Sequence, residues 1–223
     1  MPNVDAADGV IRTTLRGQVL DRVRTLIVDW DLAPASNIGE RDLCARLGVS
    51  RTPLREALLG LEAEGLLRSE AGRGFFVAAL SIDEARELYP LIWTLESLAV
   101  EQGRPAVTPA LETLAARFRA ARTPPRAVSA DGAWHEALIA ACRCPRTAAI
   151  LRRLRTAAAR YEYRYFSDLA SIRASAGQHD RICRALRRGD WREAAATLRR
   201  NWEQGLDVIL QGLTTDEEKG RTC

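Results

Sequence analysis

Apolar residues recur at helical spacing along most of the chain. Leu15, Val19, Val23 and Ile27 stand four apart, with Arg16, Asp21, Arg22 and Arg24 on other faces, which predicts an amphipathic helix over 12–30. Pro34 disfavours helical geometry at Ala33 and ends it. A short helix is predicted from Glu40 to Leu47, stopped by Gly48. Ser50 suits the N-cap of a third helix, Pro53 is tolerated in its first turn, and Leu54, Ala57, Leu58 and Leu61 form its buried stripe. Gly65 closes that helix. Leu66-Leu67-Arg68-Ser69 and Phe75-Phe76-Val77 then flank a turn with Gly72 and Gly74, a hairpin signal. Beyond it the pattern predicts helices over 82–103, 109–122, 129–142, 145–172, 176–188 and 191–213. Breaks are expected at Gly103-Arg104-Pro105, Thr123-Pro124-Pro125, Cys144-Pro145, Ala174 to Gly177 and Gly189-Asp190, and Ser81 or Asp83 caps the first of these helices. The polar tail from Thr214 to Cys223 is expected to fray.

At 223 residues the chain can hold one large domain or two small ones. No apolar run approaches the roughly 20 residues needed to cross a bilayer. Met1 to Val10 carries Asp5 and Asp8 and lacks the basic-then-apolar order of a signal peptide, so a cytoplasmic chain without membrane contact is expected. The five cysteines (Cys44, Cys142, Cys144, Cys183, Cys223) are odd in number and scattered, which argues against a disulfide framework. Net charge is +4, but residues 1–78 hold 10 Arg against 11 acidic side chains, a net of −1. Bulk charge therefore does not mark a nucleic-acid binder, and local placement must decide.

That placement is informative around the third helix. Arg51 and Arg55 lie one turn apart, beside the apolar stripe, and Thr52 stands at the helix N-terminus where backbone N–H groups can meet a phosphate. From Arg41 to Arg55 there are four Arg and one Asp, a basic strip in an otherwise acidic segment. Arginine can bind guanine through two hydrogen bonds or clamp a phosphate. Gly72, Arg73 and Gly74 at the hairpin tip allow close approach to DNA, with Arg73 suited to a minor groove. Helix, glycine-containing turn, helix and hairpin follow the order of a winged helix-turn-helix. The expected fold is mainly α: a winged helix-turn-helix with a small β-hairpin over 1–79, then an all-helical bundle over 80–223.

The run Gly39 to Leu66 (GERDLCARLGVSRTPLREALLGLEAEGL) resembles the DNA-binding domain of GntR-family bacterial repressors. The resemblance implies that Arg41, Arg51, Thr52 and Arg55 touch double-stranded operator DNA, with Gly72 to Gly74 as the wing. It further implies a homodimer on a short palindrome.

Only two histidines exist, His135 and His179, and both fall on predicted helices. Asp131 precedes His135 by four residues, so a carboxylate and an imidazole share one helical face. With a second histidine from another helix this is a candidate divalent-cation site for Zn, Ni or Mn. The segments Glu87 to Glu96, Asp131 to His135 and Gln178 to Ile182, with Gly189-Asp190, resemble the FCD-type domain of FadR-like members of the family. The resemblance implies a metal held by an Asp, a His four residues on and two later His, beside a pocket for a small metabolite. Asp131, His135 and His179 match the first three, while Asn201 stands at the fourth. A three-ligand metal site and a metal-free pocket are both open. Ile92 stands where relatives carry a carboxylate-gripping arginine. Trp93 and Trp134 are candidates to line a more apolar pocket with Tyr161, Tyr163, Tyr165 and Phe166, although core packing is the commoner fate of aromatics. Arg160 and Arg164, one turn apart, are candidates to replace the missing anchor. Cys183, one turn after His179, is a candidate soft ligand.

The expected function is an effector-responsive transcriptional regulator, by family default a repressor, released from its operator by a metabolite. Two other classes stand beside it: a constitutive DNA-binding dimer with a decayed pocket, and a metal-dependent enzyme built on Asp131, His135 and His179. The sequence shows no general base or nucleophile beside those three, so the chain is expected not to be an enzyme.

Overall fold

The computed structural model describes residues 15–220. Within them the fold is mainly helical, with one two-stranded sheet. Helices α1 (Leu15–Val28), α2 (Glu40–Leu47) and α3 (Arg51–Ala63) precede strands β1 (Leu67–Glu70) and β2 (Gly74–Val77). The strands pair antiparallel with Leu67 opposite Val77 and Glu70 opposite Gly74. Gly72 and Gly74 at the tip have φ of 74° and 84°, the left-handed region that glycine enters at no steric cost. Val23, Ile27, Leu54, Leu58, Leu61 and Val77 form a core of their own here, which satisfies the apolar stripes of α1 and α3 together.

Six more helices follow: α4 (Ile82–Gly103), α5 (Pro109–Arg119), α6 (Pro124–Ala141), α7 (Pro145–Tyr165), α8 (Leu169–Arg187) and α9 (Trp191–Gly220). α4 packs along α9 and α7, α9 along α8, and α6 lies between α5 and α7. A second hydrophobic core, including Tyr89, Ile92, Phe118, Trp134, Tyr161 and Trp202, fills this bundle.

Several helix ends differ from the sequence expectation. α1 stops at Val28 because Trp30 adopts φ 57°, two residues before the expected end. α6 begins at Pro124, not at residue 129, since proline is well placed in a first turn, where its missing N–H is not needed. α7 ends at Tyr165, seven residues short of the expected end, and α8 starts at Leu169, where Asp168 accepts from Ala170 N at 3.0 Å. The expected break at Ala174 to Gly177 is continuous helix, with Ser175, Ala176 and Gln178 buried in the bundle. α9 runs to Gly220, through a tail expected to fray. Ser81 is the cap of α4, accepting from Glu84 N at 3.3 Å. Residues 12–14, the expected first turn of α1, and Cys223 lie outside the described residues.

α7 also joins the two cores. The Trp30 ring stacks on Tyr163 with centroids 4.8 Å apart, and its Nε1 donates to the Arg160 carbonyl at 3.0 Å. The Arg160 guanidinium donates to Ala78 O at 3.0 Å and to both Glu84 carboxylate oxygens at 3.0 and 3.2 Å. The Tyr161 hydroxyl accepts from Ser81 N at 3.0 Å and donates to Glu84.

Candidate functional site

The first candidate surface lies on α2, α3 and the hairpin. The turn between the helices is made by Gly48 in the left-handed region (φ 67°), whose N–H caps Cys44 O. Leu54, Ala57, Leu58 and Leu61 are buried, which turns Arg51, Thr52 and Arg55 outward to solvent. Ser50 occupies the N-cap of α3 but makes no side-chain cap bond. The first N–H groups of α3 therefore keep their hydrogen-bonding capacity for an outside acceptor such as a phosphate. Arg41 is exposed beside Asp42 (3.8 Å) and Arg55 stands 3.6 Å from Glu40. Such exposed pairs are weak and can exchange for phosphate. At the hairpin tip Arg73 is exposed, with Arg73 and Arg68 set over the Phe76 ring at 5.1 and 4.8 Å. All seven residues expected on the DNA side thus occupy one N-terminal unit, with their chemistry facing solvent.

The second candidate lies inside the bundle. The ligating atoms of Asp131 and His135 on α6 and His179 on α8 all fall within 4.8 Å of one another, and all three residues are buried. His135 Nε2 is 3.6 Å from Asp131 Oδ2, and His179 Nε2 is 3.3 Å from Asp131 Oδ1. Neither distance comes with hydrogen-bond alignment, so Asp131 Oδ1, His135 Nε2 and His179 Nε2 are buried without a hydrogen-bond partner. Converging unpartnered polar atoms are expensive in a dry core. A cation satisfies all three at once, so the donor set fits a divalent metal of the kind that imidazole and carboxylate share.

The neighbours support that fit. Glu96 on α4 is fully buried, and its Oε2 receives His135 Nδ1 at 2.9 Å and Trp202 Nε1 at 2.7 Å. With Nδ1 so engaged, the His135 lone pair sits on Nε2, facing Asp131. Burial alone would raise the Glu96 carboxyl, but the adjoining His135 and Arg155, with the Trp202 donor, hold it below the usual range. Burial also pushes against the Asp131 charge, yet His135, His179 and Arg155 keep this carboxyl low as well. Burial lowers His179, favouring the neutral imidazole that can ligate, while the Asp131 charge opposes this. The His179 ring is clamped flat against Trp134, centroids 3.7 Å apart.

A small cavity adjoins this set, with about 20 Å³ of free space, room for one water-sized particle. Its wall includes Tyr89, Asp131, Glu162, Tyr165, Asn201 and Trp202. Asn201 is therefore beside Asp131, but its Nδ2 donates to Ser175 Oγ at 2.9 Å. An amide nitrogen is no ligand, so Oδ1 is the one atom Asn201 can offer a cation. The Glu162 carboxyl is pushed up to about 8 by burial and by the nearby Asp131 charge. Tyr89 and Tyr165 present buried hydroxyls without partners.

The other expected pocket residues separate. Trp134 reaches the set through its stack on His179. Trp93 is half-buried under Arg199, 5.7 Å from its ring centroid. Arg160 is turned to Ala78 and Glu84, and Arg164 to Gly212 O and Asp216. Neither arginine replaces the anchor missing at Ile92, which is fully buried. Cys183 does not join the cluster. Cys142 is bonded to Leu138 O, its thiol pushed up to about 12, chiefly by burial. Glu96 and Glu162 were not singled out from sequence. Each interrupts an apolar helical stripe (Leu88, Ile92, Glu96, Val100; Leu151, Ala158, Glu162), and a carboxylate on such a face was the available signal.

Comparisons with known proteins agree with this layout. Residues 15–77 match "Bacterial regulatory proteins, gntR family", and residues 87–204 match the FCD domain. The Nta operon transcriptional regulator of Aminobacter aminovorans is 30% identical over 83% of this chain and 90% of its own length. An HTH-type transcriptional regulator of Bacillus subtilis, YdhC, is 36% identical over 38% of this chain, a match that spans 38% of that protein. Among solved structures, a GntR regulator from Rhodococcus sp. RHA1 superimposes with a TM-score of 0.78 at 23% identity, covering 88% of this chain and 97% of that one. E. coli McbR/YncC superimposes with a TM-score of 0.75 at 21% identity, covering 90% and 99%. At these identities the two structures speak for the fold alone.

Proposed function

Because the chain belongs to the GntR family of bacterial transcriptional regulators and carries an FCD domain, it is a DNA-binding regulator and not an enzyme, and we propose that it is a repressor whose operator affinity is set by a small metabolite. In this reading residues 1–79 bind DNA and residues 80–223 bind the effector and dimerise. The observation that carries the effector half is the set of three buried, converging, unpartnered atoms on Asp131, His135 and His179.

Those residues would hold a divalent ion, with Asn201 Oδ1 as the adjoining neutral oxygen. A bound ion supplies a Lewis-acidic point that an effector oxygen can join. Glu96 orients His135, Trp134 orients His179, and Tyr89, Tyr165 and Glu162 present hydrogen-bonding groups to whatever enters the cavity. On the DNA side Arg51 and Arg55 read base edges or phosphate, Thr52 and Arg41 take the backbone, and Gly72, Arg73 and Gly74 form the wing. Leu91 and Leu98, seven residues apart on α4 and 47% and 43% exposed, are the apolar ridge best suited to a second copy. No helix of the described residues is long and apolar enough to cross a membrane. We place the chain in the cytoplasm, beside its DNA.

The test is binding selection from random duplex DNA combined with metal analysis by mass spectrometry. A palindromic sequence should be enriched, with about one divalent ion per chain that is lost in Asp131→Ala. Enrichment of a non-palindromic single site, or metal retained in Asp131→Ala, would overturn the corresponding half of the proposal.

A further inference from the structure

Arg24 of α1 faces two ways. Its Nη2 donates to both carboxylate oxygens of Glu64, at 2.9 and 2.8 Å, at the C-cap of α3. The same side chain lines a pocket of about 390 Å³ between α6 and α7, within the size range of small-molecule sites. Val28, Ala133, Ile139 and Leu151 make much of its wall apolar. Glu162, 5% exposed, belongs to the wall as well, and its Oε1 has no partner. Glu162 is also the residue this pocket shares with the small cavity beside Asp131. The pocket therefore lies between α6, α7 and α1, whose Arg24 holds the C-cap residue of α3.

The charges on its wall are not equivalent. Arg155 is committed to Gly132 O at 3.2 Å and stands 3.6 Å from the buried Glu96. Arg24 is different, because its two partners, Asp21 on Nη1 at 2.5 Å and Glu64 on Nη2, are 66% and 37% exposed and can be re-solvated once released. The Arg24 Nε is also buried without a partner. A guanidinium can take a second carboxylate in the same two-pronged way.

We propose that this pocket binds a small organic monoanion with an aromatic or branched apolar body, and that its carboxylate displaces Glu64 from Arg24. The body lies on Val28, Ile139 and Leu151, and a hydrogen-bond donor at its far end meets Glu162. Exchange at Arg24 loosens the link between α1 and the end of α3, so the ligand acts on the DNA-reading helix through one residue. That consequence, though not the binding itself, rests on the regulatory reading above.

The experiment uses the full chain and fluorescence titration with 8-anilinonaphthalene-1-sulfonate, displaced by 3-(4-hydroxyphenyl)propionate or by its neutral amide. The acid should displace the dye about tenfold better than the amide, as expected for a charged partner of arginine. Ala140→Trp, an exposed lining position filled with bulk, should weaken dye binding by about tenfold. Arg24→Gln should erase the preference for acid over amide, and Glu64→Gln, which removes the two-pronged competitor on Nη2 and leaves Asp21 on Nη1, should tighten the acid severalfold. Equal displacement by acid and amide, or dye affinity unchanged in Ala140→Trp, would overturn the site. Operator binding by the unliganded chain is measured in parallel. Its absence would sink the regulatory reading and leave the pocket judged by its own affinities.

Discussion

His179 lies flat on Trp134, with ring planes 8° apart and centroids separated by 3.7 Å, and this stack sets the direction in which Nε2 points. An imidazole free to rotate about its side-chain bonds loses entropy when it ligates, whereas a clamped one has already been ordered. Trp134→Leu removes no ligand, yet it should weaken divalent-metal affinity by about 10–100-fold, the range seen when groups that orient ligands are lost. Competition with a chromogenic chelator measures this, and unchanged affinity would show that the stack is packing alone.

Arg51 stands exposed in the first turn of α3, next to N–H groups that no side chain caps. Arg51→Ala should cut discrimination between operator and scrambled duplex by about tenfold or more, since one base-reading arginine accounts for about 1–3 kcal/mol. The chain should stay folded, because Arg51 is exposed and outside the apolar core. Fluorescence anisotropy at physiological salt decides it, with retained discrimination as the contrary result.

Glu162 gives a pH prediction whose sign follows from its environment. Burial and the Asp131 charge push its carboxyl up to about 8 in the folded chain, above an ordinary value of 4.5. The folded state therefore holds the proton more tightly, and stability falls as pH rises from the unfolded toward the folded value. Glu162→Gln cannot ionise, so in chelator-treated protein its melting temperature should draw ahead of the unmodified chain between those two values. At the upper end the gain should be on the order of 2–4 °C per kcal/mol of relieved charge. Parallel melting profiles across that window would count against a buried, perturbed carboxyl.

Leu98 and Leu91 expose apolar surface at heptad spacing on α4. If the proposed dimer forms through this ridge, Leu98→Glu should convert it to a monomer in light scattering and weaken operator binding, because each half-site would then be bound without its partner. A dimer that survives the change would move the interface to another face.

Much of the DNA-reading half was legible in the sequence because its signals are local. A glycine at a left-handed turn, a stripe at 0, 3, 4 and 7, and arginines one turn apart are set by residues a few positions from one another. Spacing likewise put Asp131 and His135 on one face of α6. What brings His179 to them is packing between α6 and α8. Periodicity alone does not orient a helix against its neighbours, so Arg160 and Arg164, expected in the pocket, are spent on the linker and on α9. The same packing turned Glu96 and Glu162 inward.

Helix ends divide in the same way. Gly48, Gly65 and Ser81 punctuate the chain as their chemistry dictates, whereas Ala174 to Gly177 continues a helix because burying Ser175, Ala176 and Gln178 outweighs weak local propensity. The sequence by itself determined the order of elements and the family. Tertiary structure decided which charged side chains the core would keep. The reason is physical: local geometry depends on short separations along the chain, while burial depends on contacts between residues far apart in it.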